Sequence, residues 1–442
     1  MSPLRHVLLT DHIGSAQRGD AAIIEGSITS LSTALPEAAF TVMTDRPEAT
    51  RVISGVEAVR QPSVFRDFRP SWLPKALYLL LWAAAYRRGW RLPTFGNRHA
   101  LAPFLKADLI VSKGGSFIST FYWPGCLGRV LCLLFCKLLG KRVVVLGQSV
   151  GPLDSWLLRR IAKAVYSRTD LNVLRDEESY RILVALGVPE AKLRVTADLA
   201  FCLPPHGSPL SSRAEDLPQL PRDGRPKVSL SVRRWHGYAP GRGHAEYVSA
   251  MAALCDHLTA VRNARVYFLS TCTGFDGYRN DDRTVAYEVL QQMRSRYEDN
   301  PLVFLGEYSA AELAALYSQM DLHVGTRMHS NILALLGGTP TVIVRYEFKS
   351  DHVASLFGLE RYVLDTNTVT GPELIEKVNS ALDQRDALRE QVARRLPLVR
   401  ERAYLGAQLV AELVTKEEQG LGDACLSSAG LHPKASRPGG LR

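Results

Sequence analysis

Apolar positions along the chain follow two alternating patterns. Short uninterrupted runs rich in β-branched residues are followed by segments whose apolar positions recur at helical spacing. Runs at 6–10 (HVLLT), 108–112 (DLIVS), 142–147 (RVVVLG) and 171–175 (LNVLR) predict buried strands of a first domain. A second series at 227–233 (KVSLSVR), 264–270 (ARVYFLS), 302–307 (LVFLGE), 322–326 (LHVGT) and 341–346 (TVIVRY) predicts the strands of another. Strands that read as near-continuous apolar runs are buried on both faces, as in parallel sheets covered by helices. The expected fold class is α/β, with two Rossmann-like domains facing a cleft.

The stretch 204–226 holds six prolines and no apolar periodicity, so it predicts a linker between domains 1–203 and 227–415. From 416 to 442 the chain is rich in Gly, Ser and Pro, with little to bury, and predicts a disordered tail. The most apolar segment, 75–90 (KALYLLLWAAAYRRGW), has about eleven uninterrupted apolar residues, against roughly 20 needed to cross a bilayer. It reads as a buried helix with a basic exit. The reading left open beside this is a helix lying on a membrane surface through Lys75, Arg87 to Arg91 and Trp72, Trp82 and Trp90.

Composition narrows the setting. The 442 residues are 46% hydrophobic, ample for ordinary cores, and carry a formal charge of +10. That excess suits an anionic substrate, membrane or nucleic acid, but basic and aromatic residues are not interleaved as single-strand binders require. Nucleic acid is therefore not an expected partner. Seven scattered cysteines, none spaced C-x-x-C, point to neither disulfides nor zinc, and no H-E-x-x-H-type spacing points to another metal. A cytoplasmic protein is expected, with the inner membrane face as a possible place of contact.

Ligands of open α/β sheets bind at the carboxyl ends of strands, so motifs there carry the chemistry. After 6–10, a loop with Gly14 and Gly19 leads to Asp20, which opens a helix. Asp20 reads either as an N-cap or as a carboxylate base facing a sugar hydroxyl. After 108–112 come Lys113, Gly114, Gly115 and Ser116, where paired glycines let backbone approach a ligand or another loop. After 142–147 comes Gln148, a candidate reader of hydroxyls or part of an ordinary turn. In 325–346 (GTRMHSNILALLGGTPTVIVRY), Thr326 is the expected N-cap, and Arg327 and His329 flank the open helix start. Unpaired N–H groups and the helix dipole favour an anion there, and guanidinium and imidazole add donors. The plainer alternative is a structural ion pair for Arg327 and a buried hydrogen bond for His329. Arg233, Arg345 and Lys349 end neighbouring strands and complete a cationic rim.

These motifs together resemble the polysaccharide pyruvyl transferase family. The resemblance runs from Arg5 to about Lys349, through RGDAAIIEG, ADLIVSKGGSFI, GQSVGP, TADLAFCL, SVR and GTRMHSNILALLGGTPTVIVRYEFK in order. It implies a two-domain fold similar to GT-B glycosyltransferases and transfer of pyruvate from phosphoenolpyruvate to sugar hydroxyls as a ketal. Phosphoenolpyruvate is then a co-substrate, with no resident cofactor. Arg327 and His329 match the family's R-x-H pair and would hold the donor with Arg233, Lys349 and Arg345. Asp20 matches a glycine-aspartate step, although Gln17 stands where the family usually has asparagine. Gly19, Asp20, Gly114, Gly115, Ser116 and Gln148 would form the acceptor side for a glycan or lipid-linked sugar. Catalysis would fall to Asp20, His329 and Arg327, while Asp198 matches a family aspartate without a derived role. A nucleotide-sugar glycosyltransferase would use the same architecture, and a non-catalytic binder of anionic glycan or lipid is a third reading.

Overall fold

The computed structural model describes residues 4–418 apart from 13, 15–16, 67–68, 95–97, 124, 205–216, 236, 239–242, 275–279 and 295–300. All nine predicted strands are present, within two all-parallel sheets. The first contains β1 (His6–His12), β2 (Ala39–Thr44), β3 (Glu57–Arg60), β4 (Leu109–Ser112), β5 (Arg142–Gln148), β6 (Leu171–Leu174) and β7 (Leu193–Val195), in the order β3-β2-β1-β4-β5-β6-β7. The second contains β8 (Lys227–Ser231), β9 (Arg265–Phe268), β10 (Leu302–Val303), β11 (Leu322–Gly325), β12 (Thr341–Arg345) and β13 (Val363–Asp365), ordered β10-β9-β8-β11-β12-β13.

Alternation along the strands explains why both faces are covered. Val7, Leu9, Val111 and Val144 pack on one side of the first sheet, and Leu8, Ile110, Val143 and Val145 on the other. The first of these cores is continuous with that of the second sheet. Four strands escaped the pattern. β3, β7 and β13 are short edge strands, and β2 begins with the exposed or half-exposed residues Ala39 to Thr41, which blur its apolar run.

Two boundary expectations need correction. Within the proline-rich segment, Leu217 and Leu220 are buried in the core, and the Leu220 amide donates to Gln319 Oε1 at 3.2 Å. The described end of the linker is thus docked on the second half; 205–216 lie outside the described residues. The last helix, Arg385–Glu418, also belongs to both halves. Before Pro397, Arg389 and Gln391 bond carbonyls of Met320 and Phe357; after it, Arg400 bonds Leu203 O, and Gly406 faces Leu146 and Val173. Residues 419–442, the remainder of the predicted tail, lie outside the described residues.

Helix Arg18–Ala34 joins the halves at its start. The Arg18 amide donates to Thr271 O at 2.8 Å, and its guanidinium pairs with Glu307 at 2.8 Å. Two helical turns beyond, burial pushes the Glu25 carboxyl up to about 7, opposed by Arg18 and reinforced by Glu312. A folded pKa above the unfolded value means that neutral Glu25 favours the folded state at acid pH and that this contribution is lost as pH rises through about 7. Glu25→Gln is therefore expected to raise stability at about pH 8 by on the order of 2 kcal/mol and to flatten the decline between about pH 5 and 7. Thermal melts across that range test it.

Candidate functional site

Both sheets reverse strand order once, between β1 and β4 and between β8 and β11. Crevices form at the carboxyl ends of strands at such points. At the first, His12 ends β1, Lys113 follows β4, and Asp20 sits in the first turn of helix Arg18–Ala34. Asp20 is not the N-cap, a position held by Gln17. Its carboxylate instead lies between Lys113 Nζ and His12 Nδ1, the latter at 3.1 Å, with all three side chains buried. Burial pushes the Asp20 carboxyl up, but Lys113 and His12 more than reverse this and hold it well below the carboxylate range. Asp20 is thus a poor proton acceptor as it stands. Burial lowers the His12 imidazole, against the pull of Asp20, which favours its neutral form. The backbone before it is strained: Asp11 has φ 69°, a conformation costing a non-glycine residue about 1–3 kcal/mol. Ser112 Oγ fixes the Asp11 carboxylate with a 2.6 Å hydrogen bond.

At the second crevice, β11 leads into helix Met328–Leu336. Its N-cap is Arg327, not Thr326, whose hydroxyl bonds Tyr247 at 2.7 Å. Arg327 and His329 do leave the helix start in opposite directions. The Arg327 guanidinium turns into the second half and grips Asp282 through Nε (2.8 and 2.9 Å) and Nη2 (2.6 Å), 7% exposed. Burial alone would lower its pKa; Asp282 raises it further, so the charge is permanent and already matched. Arg327 as a free anion clamp is therefore corrected to a structural ion pair. Arg345, 36% exposed, is paired with Asp351 at 2.5 Å and Asp365 at 3.1 Å. Arg233 stays available: its guanidinium lies 4.0 Å from the Tyr346 ring and 5.1 Å from that of Trp235, with no carboxylate paired to it among the described residues.

His329 faces the first half. A Cβ on Gly19 would fall 2.4 Å from its Nδ1, so the absent side chain is what admits the imidazole. His329 Nε2 makes no hydrogen bond and lies 3.7 Å from Asp198. Asp198 caps the turn Leu199–Cys202, accepts from Arg175 at 2.5 Å, and is held below the carboxylate range because Arg175 and His329 outweigh its burial. Beside this group a small cavity is lined by Ser149, Arg175, Asp176, Asp198, Lys349 and His352 among others. Lys349, 11% exposed, is paired with Glu347; burial lowers its pKa, with Glu347 opposing. Two cations and an unbonded imidazole nitrogen thus meet where the halves touch, beside a cavity of about 10 Å³.

On the acceptor side the structure separates the candidates. Gln148 is buried and turned inward, donating to Ser112 Oγ at 2.7 Å and Lys113 O at 3.2 Å and accepting from Tyr166 at 3.1 Å, so both its amide hydrogens are taken within the protein. Gly114 and Gly115 serve an adjacent loop rather than an open surface. A Cβ on Gly114 would meet Gly147 O at 2.7 Å, and the Ser149 amide donates to Gly115 O. Ser116 Oγ is buried without a hydrogen bond. Sequence reasoning missed Arg175, His12 and Asp282. Arg175 closes a predicted strand, the signal that drew attention to Arg233 and could have found it.

Removing one member of a buried ion pair strands the other charge, at about 3–5 kcal/mol. Arg327→Ala is expected to lower stability by that amount, and Arg327→Ala/Asp282→Ala to lose clearly less than the sum of the single variants. Denaturant melts of the four proteins in this cycle measure the coupling.

The profile described as Polysaccharide pyruvyl transferase matches residues 18–347, about three quarters of the chain. The amylovoran biosynthesis protein AmsJ of Erwinia amylovora is 27% identical over 426 residues, covering 92% of this chain and 99% of that protein. Among solved structures, a UDP-GlcNAc 2-epimerase from Neisseria meningitidis bound to UDP-GlcNAc superposes with TM-score 0.58 at 12% identity, over 93% of this chain and 100% of that one. Alr3699/HepE of Anabaena, in complex with UDP and glucose, gives 0.55 at 15% identity, with the same coverage. At such identities these two establish the fold alone, a GT-B-like pair of α/β domains.

Proposed function

The chain belongs to the polysaccharide pyruvyl transferase family, and from that premise we propose that it moves pyruvate from phosphoenolpyruvate to two hydroxyls of a glycan or glycolipid as a ketal, releasing phosphate. The likeness to an exopolysaccharide biosynthesis protein supports a cell-envelope or secreted glycan as the product. The observation that carries the reading is the meeting of Arg175, Lys349 and the unbonded Nε2 of His329 at the junction of the halves.

The reaction assigns each group a task. A proton added to the methylene carbon makes the neighbouring carbon electrophilic, and the first sugar hydroxyl attacks it. Phosphate then leaves with its C–O electron pair, and the second hydroxyl closes the ketal. The two hydroxyl protons are balanced by the new methyl hydrogen and by phosphate. His329 is suited to deliver the first proton, because its Nε2 makes no hydrogen bond within the protein. Arg175 and Lys349 would hold carboxylate and phosphate, exchanging Asp198 and Glu347 for the donor's oxygens, while Arg233 neutralises charge at the rim. Arg327 acts at one remove, fixing the helix start through Asp282. His12, oriented by Asp20, would take the proton of an acceptor hydroxyl. The six described cysteines are buried and unpaired, which supports a reducing, cytoplasmic setting.

Incubation with phosphoenolpyruvate and galactose-, mannose- and glucose-type acceptors, read by mass gained and phosphate released, tests the reading. Turnover with UDP- or GDP-sugars and none with phosphoenolpyruvate would overturn it. His329→Ala is expected to lower kcat about a hundredfold or more. Gly19→Ala should do nearly as much, about a hundredfold, by displacing the imidazole, while circular dichroism stays that of the parent.

A further inference from the structure

Helix Leu73–Arg87 (LPKALYLLLWAAAYR) is apolar around almost its whole circumference, yet only one side is covered. Ala76, Leu79, Trp82 and Ala83 are buried in a core that includes Phe65, Phe104 and Phe135, and the Trp82 ring lies 6.4 Å from that of Phe135. On the opposite side Leu73, Leu77 and Leu81 are 50%, 57% and 61% exposed. Their spacing of four residues puts them in one stripe, and Arg88 continues it just past the helix end. Trp90, 66% exposed, stands beyond. A soluble helix normally carries polar residues on its open side; this one carries leucine.

Charge says what the stripe meets. Between Asp67 and Asp108 the sequence has no acidic residue and seven basic ones. Lys75, Arg87, Arg88 and Arg91 are exposed, and none is paired with a carboxylate among the described residues. An acidic protein would be matched by the cations but not by the leucines, and a second copy would set arginine clusters of the same sign close together. An anionic bilayer satisfies both, taking leucine and tryptophan into the acyl boundary and phosphates against the arginines. No described helix is long and apolar enough to cross a membrane, so the contact would be peripheral.

We infer that the open face of helix Leu73–Arg87, with Trp90 and the arginines at its end, docks this protein on an anionic lipid surface. The inference does not depend on the pyruvyl transfer reading.

Co-sedimentation of the full chain with phosphatidylcholine vesicles, and with vesicles part of whose lipid is phosphatidylglycerol, tests it. Binding is expected only to the second, weakening with added salt. Arg87→Gln/Arg88→Gln/Arg91→Gln should lower that partition about a hundredfold. Leu73→Ser/Leu77→Ser/Leu81→Ser should abolish it, and Leu398→Ser, an exposed leucine on the last helix, should not change it. Melting curves run alongside; if the leucine variant fails to fold, Trp90→Ser and the arginine variant decide. Equal binding to both vesicles, none to either, or unchanged binding by the folded variants would overturn the inference. So would a wild-type dimer that ignores vesicles and becomes monomeric in the leucine variant, since the stripe would then join two copies.

Discussion

The fit of the first turn of helix Arg18–Ala34 against the second sheet is the constraint on which the site depends. One backbone hydrogen bond, from Arg18 to Thr271, fixes the height of that turn, and the bare α-carbon of Gly19 fixes how near His329 can come. The next residue, Asp20, points the other way, into the first sheet's own ion cluster. Three consecutive residues thus attach one half to the other, make room for an imidazole and anchor the β1 and β4 ends. Side chains this tightly set tolerate little displacement, because packed interiors transmit rather than absorb strain.

The charge pattern inside the cleft differs from a simple basic rim. Nearly every cation that faces the junction has a carboxylate partner: Lys113 with Asp20, Arg175 with Asp198, Lys349 with Glu347, Arg327 with Asp282. Burying an unpaired charge is costly, so a site that must exist empty keeps its cations matched. An arriving dianion can exchange with a carboxylate and leave the total burial of charge little altered. The pairs differ in how accessible such exchange is. Arg327 and Asp282 are locked by three short contacts, whereas Arg175 and Lys349 border a cavity.

The strand ends were legible in the sequence because a buried parallel strand must be almost wholly apolar, and its first polar residue marks the carboxyl end. That is how His329, Arg233, Asp20 and Lys349 were found. The direction each side chain takes was not legible. Arg327 and Gln148 stand at positions that look equally suited to a ligand, but a carboxylate from helix Asp282–Gln292 claims one, and Ser112 and Tyr166 claim the other. Both partners lie far away along the chain or carry no pattern of their own. The 75–90 segment shows the same limit: its apolar run announces a helix, and only the fold reveals that half of it has no cover.

Helix Arg385–Glu418 carries a consequence for how this polypeptide matures. Its final turns cover Leu146 and Val173 of the first sheet, strands made more than two hundred residues earlier. The amino-terminal half therefore leaves the ribosome with part of its surface uncovered and cannot seal it until the residues around Gly406 have emerged as well. Domains usually fold in order as they emerge; here an early-made sheet waits for a helix made more than two hundred residues later.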